Sequence, residues 1–209
     1  MHLERLNSSV NYQDEVKAHY DKLIDENNDP VYDPKPLREY MDKWDGLTFI
    51  AQLLLNKEKT VLEIGVGTGR LGMRVAPQCK LFYGIDISPK TIARAKQNFF
   101  GFPKVELLCG DFLTHDFGIA FDVIYSSLTF MHIEDKQEAI NKVATLLNAG
   151  GRFVLSIDKN LSTIIDTGIG KILIYPDTPE EIERCIGCAG LKLKEQIQTE
   201  FACLFIAEK

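Results

Sequence analysis

Four short segments of the chain carry the residue types that could do chemistry. The first is Val61-Leu62-Glu63-Ile64-Gly65-Val66-Gly67-Thr68-Gly69-Arg70-Leu71-Gly72, an apolar run that ends in a glycine turn and passes into a helical pattern. Glycines there let the backbone pass close beneath a ligand and adopt angles closed to other residues. A literal GxGxxG falls on residues 67–72, so a dinucleotide frame competes. In that frame the first glycine follows the strand directly and the helix start faces a pyrophosphate. Here the first glycine is Gly65, and Glu63 stands two residues before it. A carboxylate at that strand end disfavours phosphate and suits a cationic ligand with an amino group. A glycine-rich turn with no ligand is the plainer alternative.

The second segment, Tyr83-Gly84-Ile85-Asp86-Ile87-Ser88, ends the next strand on a carboxylate. Its distance from the first glycine, about 20 residues, is what a βαβ unit needs for an acid to reach ribose hydroxyls. An Asp before a helix also reads as a cap-region residue. In the third, Cys109-Gly110-Asp111-Phe112, an acceptor and an aromatic ring stand where adenine's amino group and face could be met. Asp111 reads equally as an ordinary turn residue. The fourth covers residues 121–135, FDVIYSSLTFMHIED, a buried strand that spills into a loop. Ligands of open α/β sheets sit outside the carboxyl ends of the strands, so Ser126 to His132 should line a pocket. His132 is the candidate for proton removal, with a structural histidine near a helix start as its alternative.

A parallel sheet is needed to bring these segments together. From Lys59 onward, short β-branched runs alternate with helical stretches, the pattern of repeated βαβ units. Strands are predicted at 60–64, 81–87, 104–109, 121–126 and 151–157. Helices are predicted near 68–76, stopped by Pro77; near 89–99, opened by Ser88-Pro89; and near 134–147, closed by Gly150-Gly151. The gap at 114–120 is too short for a full helix. The chain ends in a helix from Pro179 to about Ala189, capped by Gly190, and strands near 191–198 and 201–207. Ahead of the sheet, Tyr12, Val16, Tyr20, Leu23 and Ile24 mark a helix over 12–26, and a second helical pattern runs from Leu37 to about Asn56, where Gly46 can break it in two.

Composition narrows the function classes. At 209 residues and 45% apolar, the chain can bury one large core, so one domain is expected over 1–209. A net charge of −6 disfavours phosphate backbones, so no nucleic-acid partner is expected. No stretch reaches the length of a membrane span, and Met1-His2-Leu3-Glu4-Arg5 lacks the order of a secretory leader; a cytoplasmic location is expected. The five cysteines, at 79, 109, 185, 188 and 203, form no disulfide framework. The lone Cys185/Cys188 pair lies on a helical pattern that buries Cys185 as a small hydrophobe, and no second pair completes a zinc site.

In order and spacing, VLEIGVGTG, GIDIS, CGDF and FDVIYSSLTFMHIED…LLNAGGRFVLS resemble the class I S-adenosylmethionine-dependent methyltransferases, within them the small-molecule group of the methyltransferase-11 or -25 type. The resemblance covers about residues 60–157 and is specific to the superfamily, not to a substrate. It implies a Rossmann-like α/β fold, a doubly wound and mostly parallel seven-stranded sheet with an antiparallel last strand. It implies S-adenosylmethionine as cofactor, S-adenosylhomocysteine as product, and methyl transfer to an O, N, C or S nucleophile of a small molecule. Glu63, Gly65, Gly67 and Gly69 would frame the methionine end, Asp86 and Ile87 the ribose, and Asp111 and Phe112 the adenine. Ser126 would lie near the methionine amino group through its carbonyl, and Tyr20-Asp21 resembles a tyrosine-bearing lid, which would make 1–57 a helical lid or cap segment and 58–209 the cofactor-binding core. The family's nucleobase-methylating tetrapeptide [DNS]PP[YF] is replaced by Ser126-Ser127-Leu128-Thr129, and the ligand set of metal-dependent catechol-type enzymes is not recognisable, so no metal is expected. Because 158–179 is short, much of the substrate wall is expected from Tyr12, Tyr20, Tyr40 and Trp44, although aromatics at helical spacing are more often core. A cofactor-binding module that acts with a protein partner, and an NAD(P)-dependent oxidoreductase, are the competing readings. A monomer or homodimer is expected.

Overall fold

The strands that the sequence marks by apolar, β-branched runs form the middle of the fold, and the helices between them cover both faces. The computed structural model describes residues 12–209 side chain by side chain, and residues 2–11 only as the start of the first helix. The opening pentapeptide, read above for a leader pattern, lies outside the fully described part. In chain order the elements are α1 (His2–Asp25), α2 (Lys35–Asp45), α3 (Leu47–Gln52), β1 (Thr60–Ile64), α4 (Gly72–Val75), β2 (Leu81–Asp86), α5 (Pro89–Asn98), β3 (Val105–Cys109), β4 (Phe121–Ser127), α6 (Lys136–Leu146), β5 (Leu147–Asp158), β6 (Ile164–Asp166), β7 (Lys171–Leu173), α7 (Pro179–Cys188), β8 (Lys192–Gln198) and β9 (Ala202–Glu208).

Seven strands pair in the order β3-β2-β1-β4-β5-β9-β8. The first five run parallel, β9 is antiparallel to β5, and β8 is antiparallel to β9. The strand order reverses between β1 and β4, which is where an open α/β sheet leaves a crevice at the strands' carboxyl ends. Because side chains alternate along a strand, the central strands feed two cores. Leu62, Ile64, Ile124, Phe153 and Leu155 pack beneath α6 and α7 with Ile140, Val143, Ile182 and Ile186. Val61, Val123, Tyr125 and Val154 pack on the other face with Phe49, Leu53, Ile92 and Phe99. Glu63 shares that second face by the same alternation.

Helix starts follow their capping residues. Ser88 accepts from Thr91 N–H ahead of Pro89, Asp135 from Glu138 N–H, and Thr178 from Glu181 N–H ahead of Pro179. Gly46 does break the second helical pattern, and residues 114–120 form no helix. Three expectations need correction. The helix expected at 68–76 is a turn followed by the four-residue α4, because the glycines carry the backbone through left-handed angles before it can coil. The first helix begins well before residue 12. The stretch 158–179 holds an antiparallel hairpin, β6–β7, whose Ile172 packs with Ile174 against Tyr12 and Val16 of α1. Three-residue strands carry too little pattern to be seen in sequence; this pair takes its apolar partner from a helix about 160 residues away.

Candidate functional site

At the carboxyl ends of β1, β2 and β4 lies a cavity of about 920 Å³, and it gathers Glu63, Gly65, Gly67, Asp86, Ile87, Asp111, Phe112, Tyr20 and His132. Gly65 takes φ 76°, and a Cβ there would run into the Thr129 side chain, so the turn passes under the loop after β4 only as glycine. Gly67, at φ 55°, has nothing within 4 Å of where a Cβ would stand, and its N–H donates to Asp86 Oδ2 at 3.1 Å. Ser88 N–H donates to Asp86 Oδ1 at 3.0 Å. Each carboxylate oxygen therefore keeps a lone pair for a ligand.

Glu63 is 3% exposed and accepts from the Tyr125 hydroxyl at 2.8 Å. Burial pushes its carboxyl up to about 8, against the Tyr125 hydrogen bond and the Arg70 charge, while Asp45 and Asp86 add to the rise. Arg70, just past the glycine turn, reaches Asp45 at the end of α2 through two nitrogens, at 2.8 and 2.5 Å. Asp45 is fully buried and also accepts from the Ser127 hydroxyl. One carboxylate thus fixes both the loop after β1 and the loop after β4. Neither Asp45 nor Arg70 stood out in the sequence, since a charged residue at a helix end gives no sign that it will be buried.

At the other end, Asp111 Oδ1 accepts from Leu113 N–H at 3.0 Å and Oδ2 from the Gln13 side-chain amide at 3.2 Å. Phe112 is buried beside it. Tyr20 and Asp21, the pair read above as a lid element, lie on α1, and Tyr20 borders the cavity. Tyr20 Oη lies 2.8 Å from His132 Nε2, and Tyr12 Oη lies 3.4 Å from Nδ1 and donates to the Leu173 carbonyl at 2.9 Å. Because the Tyr12 proton is committed to that carbonyl, the consistent arrangement puts a proton on Nδ1 and has Tyr20 donate to Nε2. Burial lowers His132 to about 4, with Lys136 and His19 adding to the fall. Asp21 accepts from the Ser88 hydroxyl at 2.7 Å and Lys90 N–H at 3.2 Å, tying α1 to the start of α5. A buried ion pair, Lys136–Asp177 at 3.1 Å, with Lys136 also donating to the Phe130 and Tyr175 carbonyls, holds the hairpin segment against the His132 loop.

Two residues expected at the pocket lie beside it. Gly69 turns towards the Phe99 ring, and Ser126 is fully buried with its hydroxyl on the Ile64 carbonyl at 2.9 Å. Tyr40 and Trp44, expected in the substrate wall, instead pack with Phe201 at ring-centroid distances of 5.4 and 4.5 Å, outside the cavity; Met41 is the α2 residue that lines it. Cys185 is buried, as the helical spacing implied. Among the described residues no group of three or more His, Cys, Asp or Glu could hold a metal ion, and no helix is long and apolar enough to cross a membrane.

The family described as "Methyltransferase domain" matches residues 55–175, more than half of the chain. The chain belongs to the methyltransferase-domain family. This methyltransferase domain is 38% identical over 122 residues to an uncharacterized methyltransferase of Anoxybacillus flavithermus, covering 56% of each protein. It is 31% identical over 146 residues to an uncharacterized methyltransferase of Schizosaccharomyces pombe, covering 64% of this chain and 50% of that one. The matched part thus spans about half the length of those relatives. Among solved structures, the magnesium protoporphyrin IX methyltransferase of Synechocystis PCC 6803 with bound SAM superposes with a TM-score of 0.72 at 18% identity, over 95% of this chain and 97% of that one. The N-methyltransferase NodS of Bradyrhizobium japonicum, in complex with S-adenosyl-L-homocysteine, gives 0.65 at 22% identity, over 86% and 94%. Both share the fold of this methyltransferase domain.

Proposed function

We propose that this methyltransferase domain binds S-adenosylmethionine in the 920 Å³ cavity and transfers its methyl group to a nucleophile of a small molecule, in the cytoplasm. The observation that carries the reading is the arrival of Glu63, Asp86 and Asp111, from three successive strand ends, in one cavity. The residues fit the cofactor: Gly67 leaves an open cradle, Asp86 keeps two lone pairs for ribose hydroxyls, and Asp111 with Phe112 offers an acceptor and an apolar ring to adenine. Glu63 faces the methionine end as the counter-charge to an ammonium.

When bound, the cofactor supplies a methyl group on a sulfonium, which is already an activated leaving group. The protein's part is then alignment and exclusion of water. Tyr20, held by His132, closes the pocket from the lid side, with Met41, Leu71 and Leu128 as apolar walls. His132 keeps its one lone pair on Tyr20 and stays neutral near pH 7, so its role here is to orient that hydroxyl rather than to remove a proton itself. An acceptor that is already nucleophilic at that pH needs no stronger base.

A nicotinamide reading is disfavoured by Glu63 and by α4, whose four residues give no helix start able to hold a pyrophosphate. Calorimetric titration with S-adenosylmethionine and S-adenosylhomocysteine, with NAD and NADP as controls, tests the proposal. Micromolar binding of the adenosyl ligands alone is expected. Preference for a nicotinamide nucleotide would refute it.

A further inference from the structure

The lid reaches the far end of the cavity with a side chain that the proposed reaction leaves unused. Gln13 and Tyr20 are seven residues apart on α1, so they fall on one face of the helix two turns apart. Tyr20 meets His132, and Gln13 meets Asp111. The Gln13 amide donates from Nε2 to Asp111 Oδ2 at 3.2 Å, while Leu113 N–H holds Oδ1 at 3.0 Å. Gln13 borders the cavity, and its Oε1 accepts nothing among the described residues. An amide and a carboxylate joined in this way leave two acceptors, Oε1 and a carboxylate lone pair, on neighbouring residues of the cavity lining. The group that satisfies both at once carries two N–H donors on one nitrogen. An exocyclic amino group of a purine does so; a purine with an oxo group at that position turns an acceptor towards them.

Building on the cofactor assignment above, we propose that Gln13 is a specificity residue for the cofactor's base: Gln13 Oε1 and the Asp111 carboxylate together receive the two amino protons of adenine, and Gln13 Nε2 keeps the carboxylate in place. Base recognition is then shared between the sheet and the lid, and α1 docks most fully on a cavity that holds an amino-purine.

The test is calorimetric titration of the wild-type, Gln13→Ala and Gln13→Glu chains with S-adenosylhomocysteine and with S-inosylhomocysteine, which differs in carrying oxo for amino. The wild-type chain is expected to prefer the adenosyl ligand. Gln13→Ala is expected to weaken that ligand about five-fold, the worth of one hydrogen bond, and the inosyl ligand by under about two-fold. Gln13→Glu keeps size and acceptor but sets a second carboxylate beside Asp111, and it too should narrow the preference. Equal losses for both ligands, or no loss, would assign Gln13 to lid packing and overturn the proposal. Wild-type binding of neither ligand would instead overturn the cofactor assignment, and this one with it.

Discussion

Replacing Glu63 by Gln separates what the buried carboxylate does for the fold from what it does for the ligand. In the folded chain burial raises its pKa from the ordinary 4.5 to about 8. A carboxyl shifted upward binds its proton more tightly in the folded state, so stability is fully present below pH 4.5 and is lost as pH rises to about 8. At about 1.4 kcal/mol per pH unit, that window holds at most about 5 kcal/mol. Gln is nearly isosteric, can accept from the Tyr125 hydroxyl and does not titrate. Urea unfolding of both chains at pH 5, 6, 7 and 8 should therefore show the Glu63→Gln chain gaining on the wild type at each step. A cationic ligand favours the ionised acid, so wild-type affinity for S-adenosylmethionine should rise with pH up to about 8, by no more than about ten-fold per unit. The Glu63→Gln chain should bind it weakly and without that slope. Parallel stability curves and a flat wild-type affinity would refute the reasoning, because they would mean that Glu63 is ionised throughout.

The Lys136–Asp177 pair is buried on both sides, so Lys136→Met alone should cost about 3–5 kcal/mol in urea unfolding by stranding the Asp177 charge, and Lys136→Met with Asp177→Leu should recover most of it. Equal losses in the single and double variants would show that the carbonyl contacts of Lys136, not the charge pair, matter. His132, lowered to about 4 with α1 packed on it, disfavours that packing once protonated, so the hold on α1 should weaken as pH falls from 6.5 towards 4. Hydrogen exchange corrected for intrinsic rates should show α1 losing protection relative to α6 between pH 7 and pH 5, and unchanged relative protection would count against the Tyr20–His132 contact as its anchor.

The parts of the site that were legible in sequence are those whose backbone needs are local. Gly65 and Gly67 advertise a turn, Glu63 and Asp86 end apolar runs, and Ser88-Pro89 opens a helix, so strand ends and the residues on them could be placed without coordinates. Residues whose partners are distant in sequence were silent. Asp45 and Arg70 meet across 25 residues, Gln13 and Asp111 across 98, and the β6–β7 hairpin buries Ile172 against Tyr12 and Val16 from the far end of the chain. Tyr40 and Trp44 misled for the same reason. Their helical spacing marks an aromatic face but not its partner, and Phe201, far along the chain, takes that face in place of a substrate. Gly69 has the same type as its neighbours in the turn yet meets Phe99, a packing need that a glycine motif does not distinguish from a ligand's.

The helix α1 carries its own small core, in which Tyr12 and Val16 pack on Ile172 and Ile174, and it meets the loops at the strand ends through Ile87, Met131 and the tips of a few polar side chains. An inherited change on the inner face of α1 therefore reshapes the cavity wall without disturbing strand register or the glycine turn. Sequence change can therefore accumulate along α1, which lies outside the matched stretch 55–175, while the sheet and its glycine turn stay fixed.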